Sequence, residues 1–199
     1  MTNKTNRVLR YLSHPQVEQD PDIEVMRWHL SAVGKQRVNS LGKPEVLAAT
    51  SAIVSSAETK ATDTAEILAA VLGLEIEVRE RMHENDRSAT GYLPPDIFEA
   101  TANQFFAHPG QSIRGWERAL DAQQRIVSET EAVIEKYPQG DLLLIGHGGV
   151  GTLLFCHYAG LSIDRQYDQP SNGGGNVIAL DIATKTVIHG WRPMEDVLI

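Results

Sequence analysis

The apolar positions of this chain fall in short blocks whose spacing alternates between strand-like runs and helix-like repeats. Val8, Leu9, Tyr11 and Leu12 make a run of strand formers too short for a typical helix, and it leads straight into His14 and then Pro15, which cannot continue a sheet ladder. His14 is therefore predicted at the carboxyl end of a strand, where open α/β sheets place their ligand crevice. The stretch from Asp141 to Gly149, DLLLIGHGG, repeats the arrangement: an aliphatic run ends in His147, and the glycines that follow let backbone approach a ligand closely before a helix begins. Two histidines at two strand ends point to one site.

The remaining pattern fills in the architecture. Ala32, Val33, Val38 and Leu41 share one face of a helix that Ser31 caps and Gly42 closes. Ala52 to Ser56 reads as a second buried strand, Glu58 to Leu72 as a helix closed by Gly73, and Leu74 to Val78 as a third strand at or near an edge. From Arg79 to Ser112 the periodicity breaks down around Gly91, Pro94, Pro95, Pro109 and Gly110, predicting a long irregular insertion of the kind that is usually functional. Ile113 to Tyr137 is expected to be one long helix, Leu142 to Ile145 a strand, and Val150 to Ala159 a helix. Asn176 to Asp181 and Thr186 to His189 are expected to form a hairpin at a sheet edge. The alternation predicts an α/β protein, a three-layer α/β/α sandwich with a mainly parallel central sheet and an antiparallel edge.

Composition narrows the function. The 199 residues suit one domain, 1–199, with residues 1–6 as a loose polar tail. A formal net charge of -8 without clustered Lys and Arg argues against nucleic-acid binding. The first residues lack the apolar core of a signal peptide, no aliphatic run is long enough to cross a bilayer, and the single cysteine, Cys156, suits a reducing compartment, so a cytoplasmic protein without membrane association is expected. There is no HExxH, cysteine pair or histidine pair at ligand spacing to suggest zinc, no G-x-S-x-G elbow, and no Walker lysine after GHGGVG. No metal or other cofactor is expected.

His14 and His147 at their strand ends, SSAETKATDTA from Ser55 to Ala65, the LS-x-x-G segment from Leu30 to Gly34, Glu84, and PGQS from Pro109 to Ser112 together resemble the histidine phosphatase superfamily, which includes the phosphoglycerate mutases. The resemblance runs in order over nearly the whole chain and implies a phosphoglycerate mutase-like fold. It implies His14 as the nucleophile that takes the phosphoryl group, Glu84 as the general acid, and His147 beside the transferring oxygens. A neutral imidazole attacks phosphorus well, and a carboxyl that protonates the leaving oxygen then activates water as base.

The chain also departs from that pattern. Where the family has Arg-His-Gly, this chain has Ser13-His14-Pro15, and where the second helix offers another arginine it has Lys60. Lysine supplies a point charge without the bidentate fork of arginine. Losing one charge-assisted hydrogen bond, worth roughly 1.5–3 kcal/mol, costs about ten- to a hundredfold in rate. Arg10 lies deeper in the first strand, so Arg87 is the better replacement cation. The expected substrate contacts are Ser13, Lys60, Arg87 and Gly148, with Tyr92, Phe105, Phe106 and Trp116 as an apolar wall or as core. The expected reaction is hydrolysis of a small phosphomonoester. A phosphosugar or phosphoacid mutase is the close alternative, and an impaired phosphate-compound binding or regulatory protein the alternative from another class. Oligomeric state is open.

Overall fold

Residues 7–198 are described by a computed structural model, so the tail expected over residues 1–6 lies outside them. The strands β1 (Val8–Ser13), β2 (Thr50–Ser56), β3 (Ile76–Arg79), β4 (Asp141–Gly146), β5 (Asn176–Asp181) and β6 (Thr186–Pro193) form one sheet in the order β3-β2-β4-β1-β5-β6. The first four in that order run parallel, β5 is antiparallel to β1, and β6 is antiparallel to β5. The aliphatic β4 lies between β2 and β1 and is buried along its whole length, as a parallel strand covered on both faces must be.

Side chains alternate across the sheet, so neighbouring residues of one strand feed different cores. Leu142 and Leu144 join Leu9, Tyr11 and Val54 on one face, whereas Leu143 and Ile145 join Leu12 and Ile53 on the other. The helices α1 (Ala32–Ser40) and α2 (Thr59–Leu72) cover the second face through Val38, Ala61 and Leu68. On the first face lie α3 (Pro95–Ala107), α4 (Ala119–Lys136) and α5 (Gly148–Ala159), contributing Phe105, Ile126 and Leu153 among others, while the short α6 (Met194–Val197) adds Met194 to the second. The three-layer α/β/α arrangement with an antiparallel edge is thus present.

Beyond β6, which runs on past the expected His189 to Pro193, and the unexpected α6, two elements differ more deeply from the sequence expectation. The stretch read as irregular contains α3, which begins with Pro95 in its first turn and places Phe98, Ala102, Phe105 and Phe106 on one apolar face. Proline there is compatible with a helix start because the first-turn N–H has no intrahelical partner, so this proline opens a helix instead of breaking one. Conversely, α4 starts at Ala119 and not at Ile113, because Arg114 and Gly115 take left-handed backbone conformations with φ of 53° and 83°.

Strand register sets up the functional end of the sheet. Ser13 of β1 pairs with Gly146 of β4, and Ser55 of β2 pairs with Ile145. Three adjacent parallel strands therefore stop at one level, and the residues just beyond them are neighbours.

Candidate active site

The register carries His14 and His147 to the same edge. The backbone N–H of His14 donates to the Gly146 carbonyl at 2.9 Å, and the two imidazoles meet edge to face with centroids 5.3 Å apart. His14 Nδ1 lies 2.9 Å from the Pro15 carbonyl oxygen. A carbonyl can only accept, so this contact puts the ring proton on Nδ1 and leaves the Nε2 lone pair free. Burial, reinforced by the nearby Lys60 ammonium, pushes the His14 pKa down to about 4, so the ring is neutral at ordinary pH.

His147 is held from both sides and has no exposed surface. Its backbone N–H donates to the Tyr11 hydroxyl at 2.9 Å, and that hydroxyl donates back to the His147 carbonyl at 3.2 Å. The tyrosine reaches this position only because Gly146 and Gly151 carry no side chain: a Cβ would lie 2.2 Å from the Tyr11 hydroxyl at the first and 2.6 Å from the ring at the second. The His147 Nε2 faces Ser56 Oγ at 2.8 Å and Glu58 Oε1 at 3.5 Å. Its Nδ1 is buried and has no partner among the described residues. Burial holds its pKa well below the usual histidine value.

Two carboxylates frame the pair. Glu58, just before α2, accepts from the Glu84 backbone N–H at 2.8 Å and forms an ion pair with Lys60. Burial works against charge on Glu58, but the His147 ring, the Lys60 ammonium and the Glu84 N–H hold its carboxyl well below the usual carboxylate range. Glu84 accepts from the backbone N–H groups of Asn85, Gly149 and Val150 at 3.0, 3.0 and 2.9 Å, which docks it against the start of α5. Arg125 of α4 secures the segment carrying Glu84: its guanidinium donates to the carbonyls of Arg81 and His83 at 2.8 and 2.9 Å and to the Glu117 carboxylate at 2.7 Å.

The expected site residues are placed unequally. His14, Glu84, Arg87 and Gly148 line one cavity of about 420 Å3, and His14 and Arg87 also line a neighbouring one of about 310 Å3 that includes Lys60. Lys60 is satisfied before any ligand arrives, by Glu58 and by the Val25 carbonyl at 2.7 Å. The Arg87 guanidinium makes no hydrogen bond or ion pair among the described residues, and it lies 5.0 Å from the centre of the Phe98 ring. Ser13 has no exposed surface and turns its hydroxyl to Gln169 and Asn176. Arg10 is committed to Asp141 at 2.8 Å, at the far end of the strand. Tyr92 lines the smaller cavity, while Phe105, Phe106 and Trp116 border the larger one and also belong to the core.

Sequence reasoning passed over Tyr11, Ser56, Glu58 and Arg125. Ser56 and Glu58 lie inside the Ser55 to Ala65 segment that carries the family resemblance, and their proximity to a strand end is a usable signal. Tyr11 and Arg125 carried none, since each looks like an ordinary strand or helix residue until its distant partner is known. Among the described residues no group of three or more His, Cys, Asp or Glu forms a metal-ligand set, and no helix is long and apolar enough to cross a membrane.

Comparison with known proteins bears on the fold and the family. No curated protein matches the chain. Among solved structures, a mycobacterial glucosyl-3-phosphoglycerate phosphatase in complex with inorganic phosphate superposes with a TM-score of 0.73 at 20% identity, covering 94% of each chain. YhfR of Bacillus stearothermophilus gives a TM-score of 0.75 at 23% identity over 92% of this chain and 95% of its own. The alpha-ribazole phosphatase of Shigella flexneri gives 0.68 at 17% identity over 94% and 95%. The sequence profile of the histidine phosphatase superfamily, branch 1, matches residues 15–189, and with facing histidines at the ends of adjacent parallel strands this chain belongs to that superfamily.

Proposed function

We propose that this protein is a metal-independent phosphomonoesterase that works through a phosphohistidine at His14. The observation that carries the reading is the complementary state of the two rings: His14 has Nε2 free and Nδ1 bound, and His147, 5.3 Å away, has Nδ1 free and Nε2 bound. In the first step His14 Nε2 attacks phosphorus, the ester P–O bond breaks, and Glu84 gives its proton to the departing alkoxide. In the second, water attacks the phosphohistidine, Glu84 takes the proton, the N–P bond breaks and inorganic phosphate leaves. The Arg87 guanidinium, which lines the cavity with His14, and the Nδ1 of the buried His147 behind it serve the transferring oxygens in this mechanism, where donors fixed in advance stabilise developing charge. The tautomer that places a proton on His147 Nδ1 has the Ser56 hydroxyl donating to Nε2, which the 2.8 Å contact accommodates.

The related folds whose names describe a glucosyl-3-phosphoglycerate phosphatase and an alpha-ribazole phosphatase favour a small phosphorylated substrate. A cytoplasmic location belongs to the same reading. One observation favours the rival, a binding protein with little turnover: Lys60 is neutralised by Glu58, so the site offers a dianion less positive charge than its residue types suggest. The test is a panel of phosphomonoesters with wild type and His14→Ala, together with trapping of acid-labile phosphoenzyme. Hydrolysis by wild type, a loss of at least about a thousandfold in the variant and a phosphoenzyme only in wild type are expected. Equal rates in both proteins, or turnover without dependence on His14, would refute it.

A further inference from the structure

The cavity beside His14 is short of free cationic donors. Lys60 is neutralised by Glu58, Arg165 is paired with Glu99, and the N–H groups of Gly149 and Val150 are taken by Glu84. Arg87 and His147 Nδ1 cannot meet all the oxygens of a phosphoryl group, so other donors must face them. Two side-chain amides border the same cavity, and both have an NH2 without a partner among the described residues.

The first is Gln169. Its Oε1 accepts from the Ser13 hydroxyl at 2.6 Å and from Asn176 Nδ2 at 3.1 Å. Ser13 in turn accepts from the Asn176 backbone N–H at 3.1 Å, and Asn176 forms a reciprocal amide pair with Asn172 at 2.8 and 2.9 Å. With both donors on its oxygen, the orientation of the Gln169 amide is fixed and its NH2 must point elsewhere. Nε2 lies over Gly148, where a Cβ would come within 2.1 Å of it, so the glycine that follows His147 makes the room. The second amide is Asn85, only 8% exposed, whose Nδ2 is buried without a partner. A buried amide nitrogen left unpaired costs stability, and a ligand oxygen would recover it.

We propose that the carboxamides of Gln169 and Asn85 donate hydrogen bonds to the phosphoryl oxygens bound beside His14, with Ser13 as the residue that positions Gln169. This rests on the phosphoryl-transfer reading above. The site is then built for oxyanions largely from neutral donors, and Ser13 serves it through a neighbour without touching the ligand.

The probe is orthovanadate, titrated by calorimetry into the full chain, with kcat/KM measured alongside. Gln169→Glu keeps the oxygen that Ser13 and Asn176 hold and replaces the NH2 by a second oxygen; it is expected to weaken vanadate binding about ten- to a hundredfold, with Gln169→Ala close behind. Asn85→Ala is expected to weaken binding about tenfold while leaving the melting temperature unchanged or higher, because it removes an unpaired group. A residue that only supported the fold would lower it. Ser13→Ala should weaken binding in the wild-type background and have no further effect in Gln169→Ala, the signature of a residue acting through another. Wild-type affinity in both Gln169→Glu and Asn85→Ala overturns the proposal, as does an additive Ser13 effect for the positioning role. Wild type that binds vanadate but hydrolyses nothing would sink the phosphatase reading alone, whereas turnover with unaffected variants would sink this one alone.

Discussion

The ends of β1 and β4 carry the same residue type at the same level of the sheet, yet they hold it in opposite ways. At β1, His14 keeps partial exposure, and a single contact to the adjacent Pro15 carbonyl sets its tautomer. At β4, His147 is enclosed, its backbone clamped by Tyr11 and its Nε2 held by Ser56 with Glu58 behind. In the mechanism proposed above, the nucleophile must reach the substrate and move slightly along the reaction path, so local, light restraint suits it. A group that stabilises developing charge must already be in place, and preorganisation demands many distant partners. The contrast lies in the support each ring receives, since the rings themselves are identical.

The contrast is broken most severely by removing the preorganised ring. His147→Ala is expected to lower kcat by about a hundred- to a thousandfold while phosphoenzyme on His14 still forms, slowly, in rapid-quench experiments. A variant that forms none would make His147 indispensable to attack, and one with wild-type kcat would remove it from the site.

Protonation sharpens the comparison next. His14 has its folded pKa lowered from the ordinary 6.5 to about 4, and that of His147 is lowered as well. The unfolded chain therefore binds these protons first on acidification. Stability from the neutral His14 ring is complete above the unfolded value near 6.5 and is lost as pH falls through it toward about 4, and stability from the neutral His147 ring is likewise lost on acidification. At about pH 5 a ring with the ordinary value would be mostly protonated, whereas His14 should remain mostly neutral, roughly a thirtyfold difference in free nucleophile. Nitrogen-15 chemical shifts of the histidine rings against pH read this directly, and a His14 midpoint near 6.5 would contradict it. Lys60, Glu58 and Arg87 are the charged groups facing His14, so Lys60→Met should move its midpoint upward.

The smallest effect comes from loosening the clamp. Tyr11→Phe leaves the buried His147 N–H without its acceptor and should cost about 1–3 kcal/mol in denaturant unfolding, with a fall in kcat of a few-fold and little change in KM. An equal loss in KM would mean that the clamp shapes substrate binding more than it orients the ring.

Much of this was legible from the order of residues. Short aliphatic runs ending in His14 and His147, Ser31 capping α1, and the alternation of strands with helices all depend on neighbours in the chain, and the described structure contains each of them. The proline-marked start of α3 is present in the sequence too, but proline is ambiguous until one knows whether it opens a helical turn or sits inside one. The left-handed pair Arg114 and Gly115 that delays α4 leads into the buried Trp116, whose indole donates to Thr90 Oγ1 at 2.9 Å, and periodicity has no access to that distant partner.

Position 13 shows where the boundary lies. In sequence, Ser13 reads as a gap where a cation belongs. In three dimensions the place is filled by a hydroxyl that grips Gln169, a residue 156 positions away along the chain. Sequence alone was enough for the strands, the Ser31 cap of α1 and which side chains could do chemistry, since propensity and periodicity act over a few residues. Tertiary structure alone decided that Lys60 is neutralised by Glu58, that Arg125 braces the segment bearing Glu84, and which ring nitrogens stay free. Hydrogen bonds and charge pairs act over a few ångströms in space, and only the folded sheet brings those partners within reach.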